Sequence, residues 1–258
     1  MKGRTKMKKA KKIVALLLCI LLLIGASIAG TVAYLTDTKA VTNTFTVGKV
    51  AIELHEDGEK TRNDQTVGLD LHLVPNVPVD KKPVVTVLKD SEDCYVRVKV
   101  TVDVSDSWTP EAAKAAGWMS ENQEFAEAFK IWADRFAENY LITGSEKGFN
   151  RTNWKVSDPI VDSTEKTVTY ILYYEDTDES NIVPKNTDDN TVLEAVFEQV
   201  VAPAELTNDQ LALLAGMEIK VEAHAIQAGG FTSTGTEGDP SYMTAEQNAW
   251  REFDGQNP

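Results

Sequence analysis

The sequence predicts a mainly β protein of antiparallel sandwich or jelly-roll type, with inserted helices and an N-terminal signal helix in front. Three observations lead to this prediction. About seven or eight short segments alternate apolar and polar residues, which is the period of a half-buried strand. Residues 108–140 instead repeat apolar residues with helical spacing. The chain begins with a basic segment and an apolar run, the order of a secretory signal peptide.

The N-terminal segment predicts export of everything that follows it. Residues 1–12 contain seven Lys or Arg and no acid, residues 13–24 are all apolar, and small residues lead to Ala33. A membrane-spanning helix needs about 20 apolar residues, so a cleaved signal peptide over 1–33 is favoured, with a secreted domain over 34–258. A retained membrane anchor is the alternative. The basic residues would stay on the cytoplasmic side, so the domain is expected outside in both cases.

Composition narrows the choice of partners. The chain of 258 residues has a net charge of −14, and loss of the signal with its seven basic residues leaves 19 basic and 40 acidic residues, a charge of −21. So acidic a surface excludes nucleic acid and anionic lipid as partners. Membrane contact is expected only through the signal segment before cleavage.

Cys94 is the single cysteine of the secreted domain and lies within a valine-rich segment. A lone cysteine cannot form an internal disulfide, although an oxidising compartment would allow one. We therefore expect a buried thiol that acts as a small apolar side chain. An intermolecular disulfide is the alternative.

The first part of the domain predicts strands separated by a polar loop and a proline-rich connection. Residues 44–54 alternate with a break at Gly48, and residues 69–73 alternate again. Residues 55–68 are polar and turn-rich, which predicts a loop. A connection on the surface or at a sheet edge is expected around Pro75, Pro78 and Pro83.

The clearest strand signal lies in residues 84–104. One face carries five valines: Val96, Val98, Val100, Val102 and Val104. The other face carries Tyr95, Arg97, Lys99, Thr101 and Asp103. Such strict alternation predicts one buried face and one face in water.

Residues 108–140 predict a helical insertion. Thr109 is an N-cap, Pro110 is a first helical residue, and a second helix follows Ser120. The apolar stripe of the second helix consists of Phe125, Phe129, Trp132 and Phe136. Packing of this stripe on the sheet is favoured, and an aromatic surface for a partner or ligand is the alternative. Residues 144–155 then predict a loop that contains Trp154.

The last part of the domain predicts further strands and two short helices. The expected strands cover residues 167–174, 192–201 and 217–228. One helix is expected over 208–215, capped by Thr207 and stopped by Gly216. A final helix is expected after the capping box formed by Thr244 and Gln247.

Few patterns indicate chemistry. Asp176, Asp178 and Ser180 have the spacing that begins a calcium loop, but the Gly and Glu expected later in such a loop are absent, so the calcium site is a weak prediction beside a solvated turn. The three histidines are His55, His72 and His224. They lie far apart, and no His-Glu-x-x-His motif, nucleophile motif or phosphate loop occurs. We therefore predict neither an enzyme nor a cofactor.

Two blocks at the start of the domain resemble the TasA/camelysin family of secreted proteins from Gram-positive bacteria. Residues 30–37 read Gly-Thr-Val-Ala-Tyr-Leu-Thr-Asp and residues 43–50 read Asn-Thr-Phe-Thr-Val-Gly-Lys-Val, similar to the family's cleavage region and its Asn-x-Phe-x-x-Gly-x-Val pattern. The resemblance extends to residues 73–100 and to the run 224–231. Asn76 stands where the family usually has Gly in a turn, and Asn also tolerates positive φ.

The resemblance implies a jelly roll with helical decorations and export through a dedicated SipW-like signal peptidase. Cleavage at the small-x-small site Thr31 to Ala33 would leave Tyr34 as the new terminus. The protein would be a secreted or cell-surface subunit of extracellular (biofilm) matrix fibres, with itself or related subunits as partners. Its N-terminal segment would add as a strand to the next subunit. The candidate donor residues are Thr38, Val41, Thr44, Phe45 and Val47.

Three alternatives to a strand-donating fibre subunit stay open. The N-terminal segment folds back into its own sheet; the protein is an extracellular binding module that uses the aromatic helix or the Trp154 loop; or it is a camelysin-like metallopeptidase.

Overall fold

The fold is mainly β, and every pairing between its described strands is antiparallel. The computed structural model describes residues 36–40, 50–56, 60–62, 65–67, 73–176 and 181–256. The described strands are β1 (Thr36–Ala40), β2 (Ile52–Glu56), β3 (Lys60–Arg62), β4 (Gln65–Val67), β5 (Val79–Asp80), β6 (Pro83–Val87), β7 (Cys94–Asp103), β8 (Leu141–Thr143), β9 (Glu146–Lys147), β10 (Trp154–Val156), β11 (Ile160–Asp162), β12 (Thr167–Tyr174), β13 (Thr191–Val192), β14 (Gln199–Val200) and β15 (Glu218–Gln227). The described helices are α1 (Pro110–Ala115), α2 (Phe125–Asp134), α3 (Phe136–Tyr140), α4 (Asn208–Ala212) and α5 (Ala245–Gln256). None of these helices is long and apolar enough to cross a membrane.

The largest sheet has the order β1-β15-β7-β12-β10, with β11 paired to the first part of β12. Its two central strands, β7 and β15, pair over ten residues, from Cys94 opposite Gln227 to Asp103 opposite Glu218. The alternating valines from Val96 to Val104 are at most 1% exposed, which confirms the predicted buried face. The strands predicted over 167–174 and 217–228 are confirmed as β12 and β15.

A second sheet, β13-β6-β2, shares one core with the largest sheet. Val50, Ile52 and Val85 are fully buried and belong to the same apolar cluster as Val98 and Val100 of β7. Two sheets that bury their inner faces against each other give the chain a sandwich-like core. The remaining described strands form the small sheet β5-β14-β8-β9 and the hairpin β3-β4.

The region predicted as one strand over 84–104 is two strands in different sheets. β6 ends at Val87, and a turn with Asp90 at φ 65° leads to β7. Pro83 is the first residue of β6 and is buried, rather than lying in a surface connection; Pro is tolerated at the first position of a strand. Asn76 has φ 60°, as its position in the turn requires.

Two other segments differ from the predictions. The loop predicted over 55–68 contains the end of β2 and the hairpin β3-β4. The region predicted as one strand over 192–201 is regular strand only at β13 and β14. Between them, Val196 and Phe197 are both fully buried, although a regular strand would place them on opposite faces. Residues 44–49 of the strand predicted over 44–54 lie outside the described residues. The described strand there is β2, which begins at Ile52 and continues two residues beyond the predicted end, to Glu56.

The helical insertion packs on the sheet, as the favoured interpretation predicts. Thr109 Oγ1 accepts from the N–H of Ala112 at 3.1 Å, and Pro110 is the first residue of α1. Phe129 and Phe136 are fully buried, and Trp132 is 8% exposed. The Tyr170 hydroxyl on β12 donates to the carbonyl of Ala133 at 2.8 Å, which fixes α2 to the largest sheet.

The outer face of the largest sheet is only partly in water. Tyr95 and Arg97, predicted on the wet face of β7, are 4% and 6% exposed, and His224 on β15 is 8% exposed. The C-terminal helix α5 covers them, with Trp250 and Phe253 as its buried aromatic residues. Lys99, Thr101 and Asp103, farther along β7, are only partly buried, so the prediction of a wet face is wrong for the first part of the strand.

Candidate functional site

The first part of the predicted donor segment forms one of the outermost strands of the largest sheet, among the strands that the structure describes. β1 pairs with β15 from Thr36 opposite Ile226 to Ala40 opposite Glu222, and Thr38 lies opposite His224. This is the pairing that the fold-back alternative describes. The other candidate donors Val41, Thr44, Phe45 and Val47, and the cleavage residues Thr31, Ala33 and Tyr34, lie outside the described residues.

The predicted metal ligands are not brought together in the described part of the chain. Asp176 is exposed just after β12, whereas Asp178 and Ser180 lie outside the described residues, as does His72. His55 is exposed on β2 and His224 is buried on β15. Among the described residues, no group of three or more His, Cys, Asp or Glu side chains is placed to hold a metal ion.

Most of the aromatic side chains proposed for a binding module are buried, although Trp118, Trp132 and Tyr140 line a surface pocket of about 300 Å³. Trp108 is fully buried and stacks on Trp118 at a centroid distance of 5.4 Å, while Phe129 and Trp132 pack against it. Trp154 does not lie in a loop: it begins β10, is 1% exposed, and its Nε1 donates to the carbonyl of Glu194 at 2.9 Å. Burial and this hydrogen bond give Trp154 a structural role.

A buried ion pair joins the second sheet to the segment before β6. Lys81 Nζ lies 2.7 Å from Glu56 Oε2, and the two side chains are 3% and 5% exposed. A charge removed from water in this way requires its partner, because the Coulombic attraction offsets the cost of desolvation. We assign this pair a structural role.

Arg97 is the centre of a polar cluster beneath α5. Its guanidinium donates to both carboxylate oxygens of Asp254, and its Nε donates to Nδ1 of His224 at 3.2 Å. The guanidinium carbon lies 4.5 Å from the ring centroid of Trp250 and 5.0 Å from that of Phe253. These cation–π contacts and the ion pair fix α5 on the sheet.

His224 is held in the neutral form by this cluster. Burial, and next the positive charge of Arg97, lower the pKa of His224 to about 4. The hydrogen bond from Arg97 Nε requires an unprotonated Nδ1, so protonation would remove an acceptor and place two positive charges side by side.

A groove of about 510 Å³ lies between α5 and the ends of β10 and β12. Three tyrosines line it: Tyr173 and Tyr174 at the end of β12, and Tyr242 in the loop before α5. Five residues of α5 line the groove: Glu246, and four that lie at i, i+3, i+4 and i+7 on one helix face, Gln247, Trp250, Arg251 and Asp254. The Arg97 cluster thus supports the floor of the groove from beneath, because Trp250 and Asp254 belong to both.

The carboxylate of Glu246 lines this groove and is fixed in place by two hydrogen bonds. Asn181 Nδ2 donates to its Oε2, and Trp250 Nε1 donates to its Oε1 at 3.4 Å. Burial raises the pKa of Glu246, and the hydrogen bonds from Asn181 and Trp250 oppose this effect. A half-buried acid with a shifted pKa that lines a groove marks a candidate binding site.

Sequence reasoning missed this groove. No local pattern points to it, because its lining residues come from β10, the end of β12, the loop before α5 and α5 itself, which are far apart in the sequence. No family model matches the chain, and neither a curated protein nor a solved structure is detectably similar to it.

Proposed function

We propose that the protein is a secreted structural subunit of extracellular-matrix fibres, similar to the TasA/camelysin family, whose subunits join by donation of the N-terminal strand. The observation that carries the proposal is the position of β1: the first described segment of the chain lies at an edge of the largest sheet, where its five described residues pair with β15. We further propose that the two packed sheets follow a jelly-roll path.

The edge of β15 is suited to accept the same segment from another copy. On its other side β15 is held by β7 over ten residues, so the acceptor strand would keep its place when β1 leaves. Backbone hydrogen bonds to an exchanged segment are the same bonds as in the monomer, so the exchange costs little enthalpy. Each subunit would accept from one neighbour and donate to the next, and such a head-to-tail contact yields a filament when it does not close into a ring.

Export fits this scheme. The predicted signal sequence 1–33 ends immediately before the proposed donor segment, and a SipW-like signal peptidase would release Tyr34 as a new terminus outside the cell. A strand that becomes free only after cleavage restricts assembly to the extracellular space. The proposal therefore places the mature protein in the matrix or at the cell surface.

Cysteine pairs at β1 and β15 test strand donation directly. Ala40 and Glu222 are opposite in the antiparallel register, so Ala40→Cys in one chain and Glu222→Cys in another should form a disulfide-linked dimer when the two proteins, each beginning at Tyr34, are mixed and oxidised. The control mixes Ala40→Cys with Glu218→Cys, four residues out of register. Cys94 is buried and is kept in every version.

Filaments of the unmodified protein by electron microscopy, together with in-register dimers, are the expected result. A chain that carries both Ala40→Cys and Glu222→Cys should lock β1 in place when oxidised and should form filaments again when reduced. Internal disulfides in this double variant, with monomers in the mixture and no filaments, would overturn strand donation.

A further inference from the structure

The groove between α5 and the ends of β10 and β12 has the chemistry of a site for an uncharged, hydroxyl-rich ligand. The half-buried rings of Tyr173, Tyr174 and Tyr242 supply flat apolar surfaces. Asn181 and Gln247 also line the groove and supply amide groups. Asn181 Nδ2 donates to Glu246, and Gln247 Oε1 accepts from the N–H of Thr244. A purely apolar ligand would exclude water from the remaining donors and acceptors of these amides and would therefore bind poorly.

The charges that line the groove balance one another. Asp254 is already paired with Arg97. The remaining charged lining residues are two acids and two bases: Glu175, Glu246, Lys155 and Arg251. A cationic or an anionic ligand would be repelled by half of this set and attracted by the other half, so the lining has no net preference for either charge, and the acidic domain as a whole repels polyanions.

Glu246 is preorganised to accept hydrogen bonds from ligand hydroxyls. The donors Asn181 and Trp250 already orient its two oxygens, and each carboxylate oxygen has a further lone pair. A side chain fixed in advance loses little entropy when the ligand arrives. Tyr242 lines the same groove and is half-buried, which leaves part of its side chain open to a ligand.

From this arrangement we infer that the groove binds a neutral oligosaccharide. An apolar face of one sugar ring stacks on Tyr242, and sugar hydroxyls donate hydrogen bonds to the carboxylate of Glu246. The groove volume of about 510 Å³ is in the range of small-ligand sites. The site does not involve β1, so sugar binding and strand donation are independent and fail independently.

Calorimetric titration of the protein beginning at Tyr34 tests this inference, with the oxidised Ala40→Cys, Glu222→Cys variant used to hold the protein as a monomer. The neutral probes are cellotetraose, maltotetraose and the tetramer of N-acetylglucosamine, and the charged probes are tetralysine and tetragalacturonate. At least one neutral tetrasaccharide should bind at millimolar concentration or below, and the charged probes should not. Binding of a charged probe alone, or of no probe, would overturn the inference.

Variants locate the binding. Tyr242→Ala should weaken the Kd of the neutral sugar about tenfold, whereas Tyr242→Phe, which keeps the ring, should change it less than about twofold. Glu246→Gln should weaken binding, and Glu252→Gln at an exposed position of the same helix should not. Thermal unfolding shows that each variant is folded. Equal affinity in wild type and in both Tyr242→Ala and Glu246→Gln would place the sugar elsewhere and refute this site.

Discussion

Protonation of His224 should lower the free energy of unfolding at acidic pH. His224 accepts a hydrogen bond from Arg97 and lies 5.1 Å from the ring of Phe253. Arg97 and Lys99 disfavour the imidazolium, whereas Glu222 and Asp254 favour it; burial and the nearby cations prevail, and the pKa falls to about 4. The substitution His224→Gln removes this titration and keeps an acceptor oxygen for Arg97.

The size of the effect follows from the two pKa values. The unfolded chain protonates this histidine near pH 6.5 and the native protein only near pH 4. Between these values the unfolded state binds more protons, so the free energy of unfolding falls as the pH falls, and the loss is complete below about pH 4. The difference amounts to about 3 kcal/mol.

Urea unfolding at several pH values, followed by circular dichroism, measures this contribution. Between pH 7 and pH 4 the wild type should lose about 3 kcal/mol more than His224→Gln, since the other titrating groups are common to both. Lys130→Gln, at an exposed position of α2, should follow the wild type. Parallel curves for wild type and His224→Gln would show that the histidine titrates normally in the folded state and would refute the reasoning.

Three further predictions concern the core. Val100→Ala should lower the free energy of unfolding by about 2 kcal/mol, because Val100 is fully buried between the sheets; a loss near zero in urea unfolding would contradict the described packing. Lys81→Met should cost about 3 kcal/mol by leaving the Glu56 carboxylate buried without its partner. Adding Glu56→Leu should recover much of that loss, and a double variant as unstable as the single one would argue against the ion pair. Burial raises the pKa of the Cys94 thiol to about 12, so in the protein beginning at Tyr34 an aromatic disulfide reagent at about pH 8 should label Cys94 only after unfolding; fast labelling of the native protein would contradict its burial.

Local sequence patterns predicted the secondary structure correctly where a segment has one face in the core and the other face in solvent along its whole length. The valines of β7 and the strand β12 were predicted correctly, because a strand with one face in the core must alternate. The N-caps at Thr109 and Thr207 and the capping box of Thr244 with Gln247 are confirmed as well, since they involve residues only three positions apart.

The same patterns failed where a segment is buried on more than one side. Val196 and Phe197 pass through the core with no regular pairing, so their sequence resembles a strand that the structure does not contain. Trp154 was predicted in a loop because its polar neighbours hide a three-residue strand. Strands this short carry too few residues for a period to be read.

The groove depended on contacts that no local pattern contains. Tyr173 and Trp250 are far apart in the sequence and lie 6.1 Å apart between ring centroids. Their approach requires that α5 dock on the outer face of the largest sheet.

The sequence by itself determined the mainly β class, the long strands, the helix caps and the buried cysteine, because each of these is set by neighbours along the chain. Only the tertiary structure decided whether the polar residues on the outer face of the largest sheet are buried or exposed. Arg97 and His224 alternate with apolar residues like side chains in water, yet both are buried. The reason is that α5 brings Asp254, Trp250 and Phe253 onto them, and these residues supply the charge and the aromatic rings that a buried guanidinium requires.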